Sequence, residues 1–231
     1  MKNEPNEVQT GPSAAGERRA LIGLLPQYRA AATAVLDALH HRALEFLEIA
    51  HDSNGAVDDF VIGSPLTVKA YQVKWREYPA SFTFRRLVTA DKDGRTLIRD
   101  LFEGQQQLKA RYPAKRIIVH LYTCDYPSNN DKCHPNDQQQ SLSFAKFLDQ
   151  VWKPAQTGDT SGAKTEPAAW KALFNASGAT ERQFLQFVPD CELIFGVQVG
   201  GEPLTNSRDR SLERDQIREL AQLLISTVSS P

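Results

Sequence analysis

The run Ile117-Ile118-Val119-His120-Leu121 constrains the fold of this chain more than any other stretch. It is short, rich in β-branched side chains and flanked by Arg116 and Tyr122, which predicts a strand over Arg116 to Tyr122. A strand with no polar face has to be covered on both sides, and such strands belong to sheets with helices packed against each face. The rest of the sequence must therefore supply flanking helices and neighbouring strands.

Hydrophobic spacing places them. Met1 to about Gly16 is polar and reads as a disordered N-terminal segment, 1–16. From Glu17 to His41, Leu21, Leu24, Leu25, Tyr28, Ala32, Val35, Leu36 and Leu39 recur at helical spacing, with Pro26 as a kink or a start. Three strands follow, over Ala43 to Ala50, Val57 to Gly63 and Val68 to Trp75. They are separated by the turn signals Asp52-Ser53-Asn54-Gly55 and Ser64-Pro65, so the expected arrangement is an antiparallel meander. Ser81 to Arg86 leads into a helical segment, and a longer helix is expected from about Gly94 to Arg111.

Beyond the buried strand, Cys124 to Gln140 reads as a polar loop. Ser143 to Trp152, Pro167 to Ala176 and Thr180 to Phe187 read as helices, with a linker from Gln156 to Thr165. A strand at Cys191 to Val199 and a helix at Ser211 to Val228 complete the order. The fold class is thus α/β: a mixed sheet, made of the meander plus the buried strand, flanked by helices. Residues 17–231 form a single domain, with a core over 17–126 and a helical elaboration over 127–231.

The formal charge of −1 excludes a globally basic nucleic-acid binder, but the charge is unevenly spread. Lys69 to Arg116 holds twelve Lys/Arg against five Asp/Glu, whereas Ala43 to Ile62 holds five acids and no Lys or Arg. An acidic cluster suited to a cation thus adjoins a basic segment suited to phosphates. A solvated charged helix after an acidic loop has the same composition. Three cysteines with no signal-peptide pattern point to a reducing cytoplasm. No apolar run nears the roughly 20 residues of a membrane-spanning helix, so no membrane partner is expected.

The chemistry-bearing pattern is Asp58-Asp59 at the head of the second strand and Gln72-Val73-Lys74 in the third. Side chains two apart on a strand share a face, so Gln72 and Lys74 project together. An Asp from the neighbouring strand would complete a set of carboxylate, amide oxygen and ammonium. Mg²⁺, with Mn²⁺ as a substitute, suits such oxygen ligands together with a substrate phosphate. Asp59 is the preferred ligand of the adjacent pair, Asp58 the alternative, with Gln72 and the main-chain carbonyl of Val73 as further metal ligands. Lys74 is the candidate catalytic lysine, orienting or deprotonating water or offsetting transition-state charge. Arg76, Arg85 and Arg86 are candidates for DNA phosphates. Cys124, Cys133 and His134, with His120 nearby, form a weaker zinc set that lacks a Cys-x-x-Cys or His-x₃-His element.

At these residues the chain resembles the PD-(D/E)XK, or restriction-endonuclease-like, superfamily in its Gln-x-Lys variant. It is similar in particular to the double-stranded DNA nuclease domain at the N-terminus of bacterial antiphage effectors, including those fused to STAND-type NTPases or cyclic-nucleotide sensors. The matching stretch runs from about Leu24 to Leu87. It takes in Gln27-Tyr28, Glu45 and Glu48, Val57-Asp58-Asp59, Tyr71-Gln72-Val73-Lys74 and Ser81-Phe82-Thr83-Phe84. The chain departs from the family pattern in having no Pro before the acid and an amide in place of the second carboxylate.

The resemblance implies a restriction-endonuclease-like fold and a Mg²⁺-dependent DNA endonuclease active in antiphage defence. It adds Gln27 to the site and Glu48 as a further metal ligand. It also implies double-stranded DNA as substrate, self-association when active, and an NTPase or sensor region in the same or another chain. A catalytically silent DNA-binding or oligomerisation module is the rival from another class, and cleavage of RNA a further alternative.

Overall fold

Five strands, β1 (Phe46–Ile49), β2 (Phe60–Gly63), β3 (Thr67–Lys74), β5 (Arg116–Thr123) and β7 (Cys191–Ile194), form one mixed sheet in the order β1-β2-β3-β5-β7. The computed structural model describes residues 14–49, 57, 59–133, 141–197 and 219–223. The meander is as expected: β1 pairs antiparallel with β2, and β2 with β3. The buried strand β5 then pairs parallel with β3 on one side and with β7 on the other. The protein is therefore α/β, with a mixed sheet flanked by helices.

Alternation along β3 explains how the two faces are filled. Val68 and Ala70 join Ile117, Val119 and Leu121 in the larger apolar cluster. Tyr71 and Val73 point the other way and pack with Phe60, Ile62, Tyr122 and Ala30, Ala31 and Val35 of helix α1 (Ala14–His40). Helix α3 (Leu97–Arg111) covers the first face through Ile98, Leu101, Phe102 and Leu108. Each fully buried Leu, Ile or Phe of this kind contributes about 1.5–3 kcal/mol, so the sheet is held from both sides. Thr96 caps α3 by accepting the Arg99 N–H, and the buried amide of Gln105 donates to the Ile117 carbonyl at 3.2 Å, tying α3 to the start of β5. Gly104 of α3 has no room for a side chain, since a Cβ there would lie 2.4 Å from a methyl of Val57.

Several boundaries differ from expectation for local reasons. Helix α1 begins at Ala14, inside the segment expected to be disordered, and runs through Pro26 without ending there. The helix expected over Ser143 to Trp152 divides into α4 (Phe144–Phe147) and a π turn over Leu148–Trp152, and α5 (Lys153–Gln156) carries it past the expected end. The expected linker that follows contains a short helix, α6 (Ser161–Thr165), ahead of α7 (Pro167–Ser177) and α8 (Glu181–Phe187). Thr180 caps α8 through a capping box with Gln183. The polar loop after β5 holds a strand, β6 (Tyr126–Pro127), paired parallel with β4 (Ser81–Phe82), and α2 (Arg85–Val88) follows β4.

Of the strand expected over Cys191 to Val199, Cys191–Ile194 is a strand, and residues 198–199 lie outside the described residues. The turn at residues 52–55 lies outside the described residues. Of the expected final helix, residues 219–223 are described, and they are helical. No described helix is long and apolar enough to cross a membrane.

Candidate active site

Strand β2 begins at Phe60, opposite Tyr71. One step back along this antiparallel ladder, Asp59 stands beside Gln72, where facing side chains share one side of the sheet. The β3 backbone beyond Tyr71 has run past the end of β2, and the Asp59 side chain takes the place of a strand partner: its Oδ2 accepts the Val73 N–H at 2.5 Å. The same oxygen accepts the Gln72 amide at 2.7 Å, and Oδ1 accepts the Gln27 amide at 2.5 Å. Gln27 arrives from α1, whose small residues Ala30 and Ala31 let the helix lie close over Phe60 and Tyr71. Helix, meander and central strand thus meet at one carboxylate. Gln72 is nearly buried, while Asp59 keeps partial exposure.

Lys74 closes β3 on the same side of the strand as Gln72 and is exposed. It opens onto a cavity of about 250 Å³ lined by Gln27, Val73, Lys74, Trp75, Arg76 and Arg86. This cavity lies at the carboxyl end of β3, the end at which open α/β sheets bind their ligands. Asp59 touches two of its walls, through the hydrogen bonds to Gln27 and Val73.

The two arginines are anchored from behind by Asp125, which sits just past the end of β5 with 1% of its surface exposed. Its Oδ1 lies 3.0 Å from Arg76 Nε and accepts the Ala80 N–H at 2.8 Å. Its Oδ2 accepts Arg86 Nη1 at 2.5 Å. The Arg86 guanidinium also lies 4.2 Å from the Phe82 ring centroid, a cation–π contact. Pairing of β4 with β6, together with the Tyr126 N–H donated to the Ala80 carbonyl, fixes this loop against Asp125.

The expected site residues therefore separate into those gathered and those taken up elsewhere. Gln27, Asp59, Gln72 and Val73 are brought together, and Lys74, Arg76 and Arg86 share the adjoining cavity. Val73 meets Asp59 through its main-chain N–H. Arg85 is exposed on α2 and is not among the cavity-lining residues.

Glu48 is engaged away from Asp59. Its carboxylate takes both terminal nitrogens of Arg111, at 2.6 and 2.8 Å, and the Tyr112 hydroxyl at 3.1 Å. A bidentate pair of this kind makes Glu48 a bolt between β1 and the end of α3. Asp58 lies outside the described residues, as does His134 of the zinc set. Cys124 and Cys133 are buried thiols, and burial pushes the Cys133 thiol well up. Among the described residues, no group of three or more His, Cys, Asp or Glu side chains gathers as a metal site.

Asp125 was missed from sequence because it falls at the head of a stretch read as a polar loop. Its one local signal is position, an acid two residues past the end of the mainly apolar β5. No protein-family model matches the chain, and no curated protein matches it.

Proposed function

We propose that this chain is a metal-dependent endonuclease of restriction-endonuclease-like fold that cleaves phosphodiester bonds of double-stranded DNA. The observation that carries the reading is the Asp59 carboxylate fastened to Gln72 and Val73 beside a cavity lined by Lys74, Arg76 and Arg86. The resemblance of Asp59 and Gln72-Val73-Lys74 to the Gln-x-Lys nucleases supports it, and so does the sheet order, with the acid at the head of a meander strand and the lysine at the end of the next.

The donor chemistry suits a hard cation. Asp59 would hold Mg²⁺ with the Gln72 and Gln27 amide oxygens and the Val73 carbonyl. Each amide now offers its nitrogen to Asp59, and a half-turn of the terminal amide exchanges nitrogen for oxygen at little steric cost. When bound there, Mg²⁺ supplies charge relief on the phosphate and an acidified water. Lys74 orients the attacking water and offsets the charge that builds on the phosphoryl oxygens. Arg76 and Arg86 hold backbone phosphates next to the scissile one. Cutting both strands calls for two such sites, hence self-association of the active form. A role in antiphage defence, triggered by an NTPase or sensor region, follows from the resemblance.

Lys74→Ala is expected to lower plasmid cleavage in Mg²⁺ at least about a hundredfold while leaving the circular-dichroism spectrum and melting temperature unchanged. Undiminished cutting by that variant, with EDTA blocking both proteins, removes the mechanism. The three N–H groups on Asp59 also satisfy the carboxylate without a metal, which favours a silent DNA-binding module as the second reading. Calorimetry showing no Mg²⁺ or Mn²⁺ binding, alongside retained salt-sensitive DNA binding, selects that reading. Parallel assays on RNA and DNA fix the substrate.

A further inference from the structure

Arg76 and Arg86 come from different segments, one just past β3 and the other in α2, yet they meet at one carboxylate that solvent does not reach. An Asp buried to this degree is retained at a cost in hydration unless it is paired and hydrogen-bonded, and Asp125 is both. Each guanidinium carries five N–H donors in a planar fork. Asp125 engages Nε of Arg76 and Nη1 of Arg86, leaving further donors on each, and the two side chains keep 43% and 36% exposure. Two guanidiniums against one carboxylate leave an excess positive charge, and Lys74 adds another in the same cavity. Phe82 beneath Arg86 and the Ala80 N–H on Asp125 fix the group further, so little side-chain freedom remains to be lost when an anion arrives.

We infer that Arg76 and Arg86 form a phosphate clamp for an internal phosphodiester of a nucleic-acid strand, with Asp125 as the positioning residue that aims both guanidiniums into the cavity. The inference deepens the nuclease reading and rests on it for the substrate. The clamp itself acts before any bond breaks, and without metal. Asp125 touches no substrate; it sets the fork geometry and keeps the arginines from folding onto other acids.

The test is binding of the full chain to a fluorescently labelled, covalently closed duplex minicircle in EDTA, over a series of salt concentrations. Arg76→Gln/Arg86→Gln is expected to weaken binding tenfold or more and to flatten the log–log salt slope by about 1.8, two phosphate contacts at roughly 0.9 each. Asp125→Asn, with both arginines in place, is expected to reproduce at least half of the affinity loss on a logarithmic scale. Added to the double arginine variant, it is expected to cause no further loss of affinity, which a merely structural role would not produce. Wild-type affinity and slope in the double arginine variant overturn the clamp, and wild-type binding by Asp125→Asn overturns the positioning role. If Asp125→Asn does not fold, Asp125→Ser takes its place, and wild-type binding by that variant overturns the positioning role in the same way. Failure of wild-type protein to cut in Mg²⁺, with the clamp results intact, counts against the nuclease reading only.

Discussion

Asp59 and Asp125 are both carboxylates held by converging N–H donors, and they are built to opposite ends. Three neutral donors converge on Asp59, two amides and a main-chain N–H, and the group stays partly open to solvent. Asp125 is closed off and held by two guanidiniums as well as a main-chain N–H. Neutral donors place a carboxylate without cancelling its charge, which leaves it useful to a cation. Cationic donors consume the charge and hand the surplus positive potential to the cavity beyond. On the nuclease reading proposed above, Asp59 would serve a metal and the arginines held by Asp125 a phosphate.

Exchanging acid for amide or alanine at each position breaks this comparison most directly. Asp59→Asn is expected to cut plasmid cleavage at least about a hundredfold, with a stability change within about 1–2 kcal/mol because the hydrogen bonds from Gln27, Gln72 and the Val73 N–H all come from neutral donors. Asp125→Ala is expected to cost about 3 kcal/mol in urea unfolding, the lower end for a broken buried pair, because both guanidiniums keep solvent contact. Equal stability losses in the two variants would erase the distinction drawn here. Gln72→Glu sharpens it by one further charge. The Mg²⁺ concentration for half-maximal cleavage is expected to fall about tenfold, since carboxylate count tunes affinity for hard cations. An unchanged Mg²⁺ midpoint would place the metal away from residue 72.

The smallest effect is expected at a third carboxylate, Glu192 of β7, whose Oε2 stands 3.2 Å from His120 Nδ1. The His120 contact, aided by Lys69 and Arg116, holds the Glu192 carboxyl below its ordinary value of 4.5 against the opposing pull of burial. A depressed acid stabilises the fold above its unfolded value, and that contribution fades as pH falls through the lowered one. The melting-temperature gap between wild type and Glu192→Gln should therefore be present at pH 7 and close well below pH 4.5. With the side chain half exposed, the gap should correspond to under about 1 kcal/mol.

The parts of the fold that local pattern encodes were legible in the sequence. Alternation at Val68 to Lys74, turn residues at Ser64-Pro65 and the apolar run in β5 each state their structure within a few neighbours. The meeting of Asp59 with Gln72 was legible for the same reason, because strand periodicity and a short connection decide which side chains face one another. Long-range partners were not. Glu48 looks like any acid near the site until Arg111, 63 residues on, claims it. Asp125 looks like a loop residue until Ala80 and Arg86, 45 and 39 residues before it, converge there. No local spacing reports which of several arginines a carboxylate will meet. The π turn at Leu148–Trp152 was equally silent, since Phe144, Phe147, Leu148, Val151, Trp152 and Ala155 keep α-helical spacing through it.

The parallel pairing of β5 has a consequence for synthesis on the ribosome. Its first neighbour, β3, precedes it, but its second, Cys191–Ile194, emerges only after α4 to α8 have been made. Until then β5 presents a bare row of main-chain donors and acceptors, on one of the most apolar stretches of the nascent polypeptide. A translation product stopping short of Cys191 would carry that sticky margin permanently, which makes the late strand a guard against misassociation.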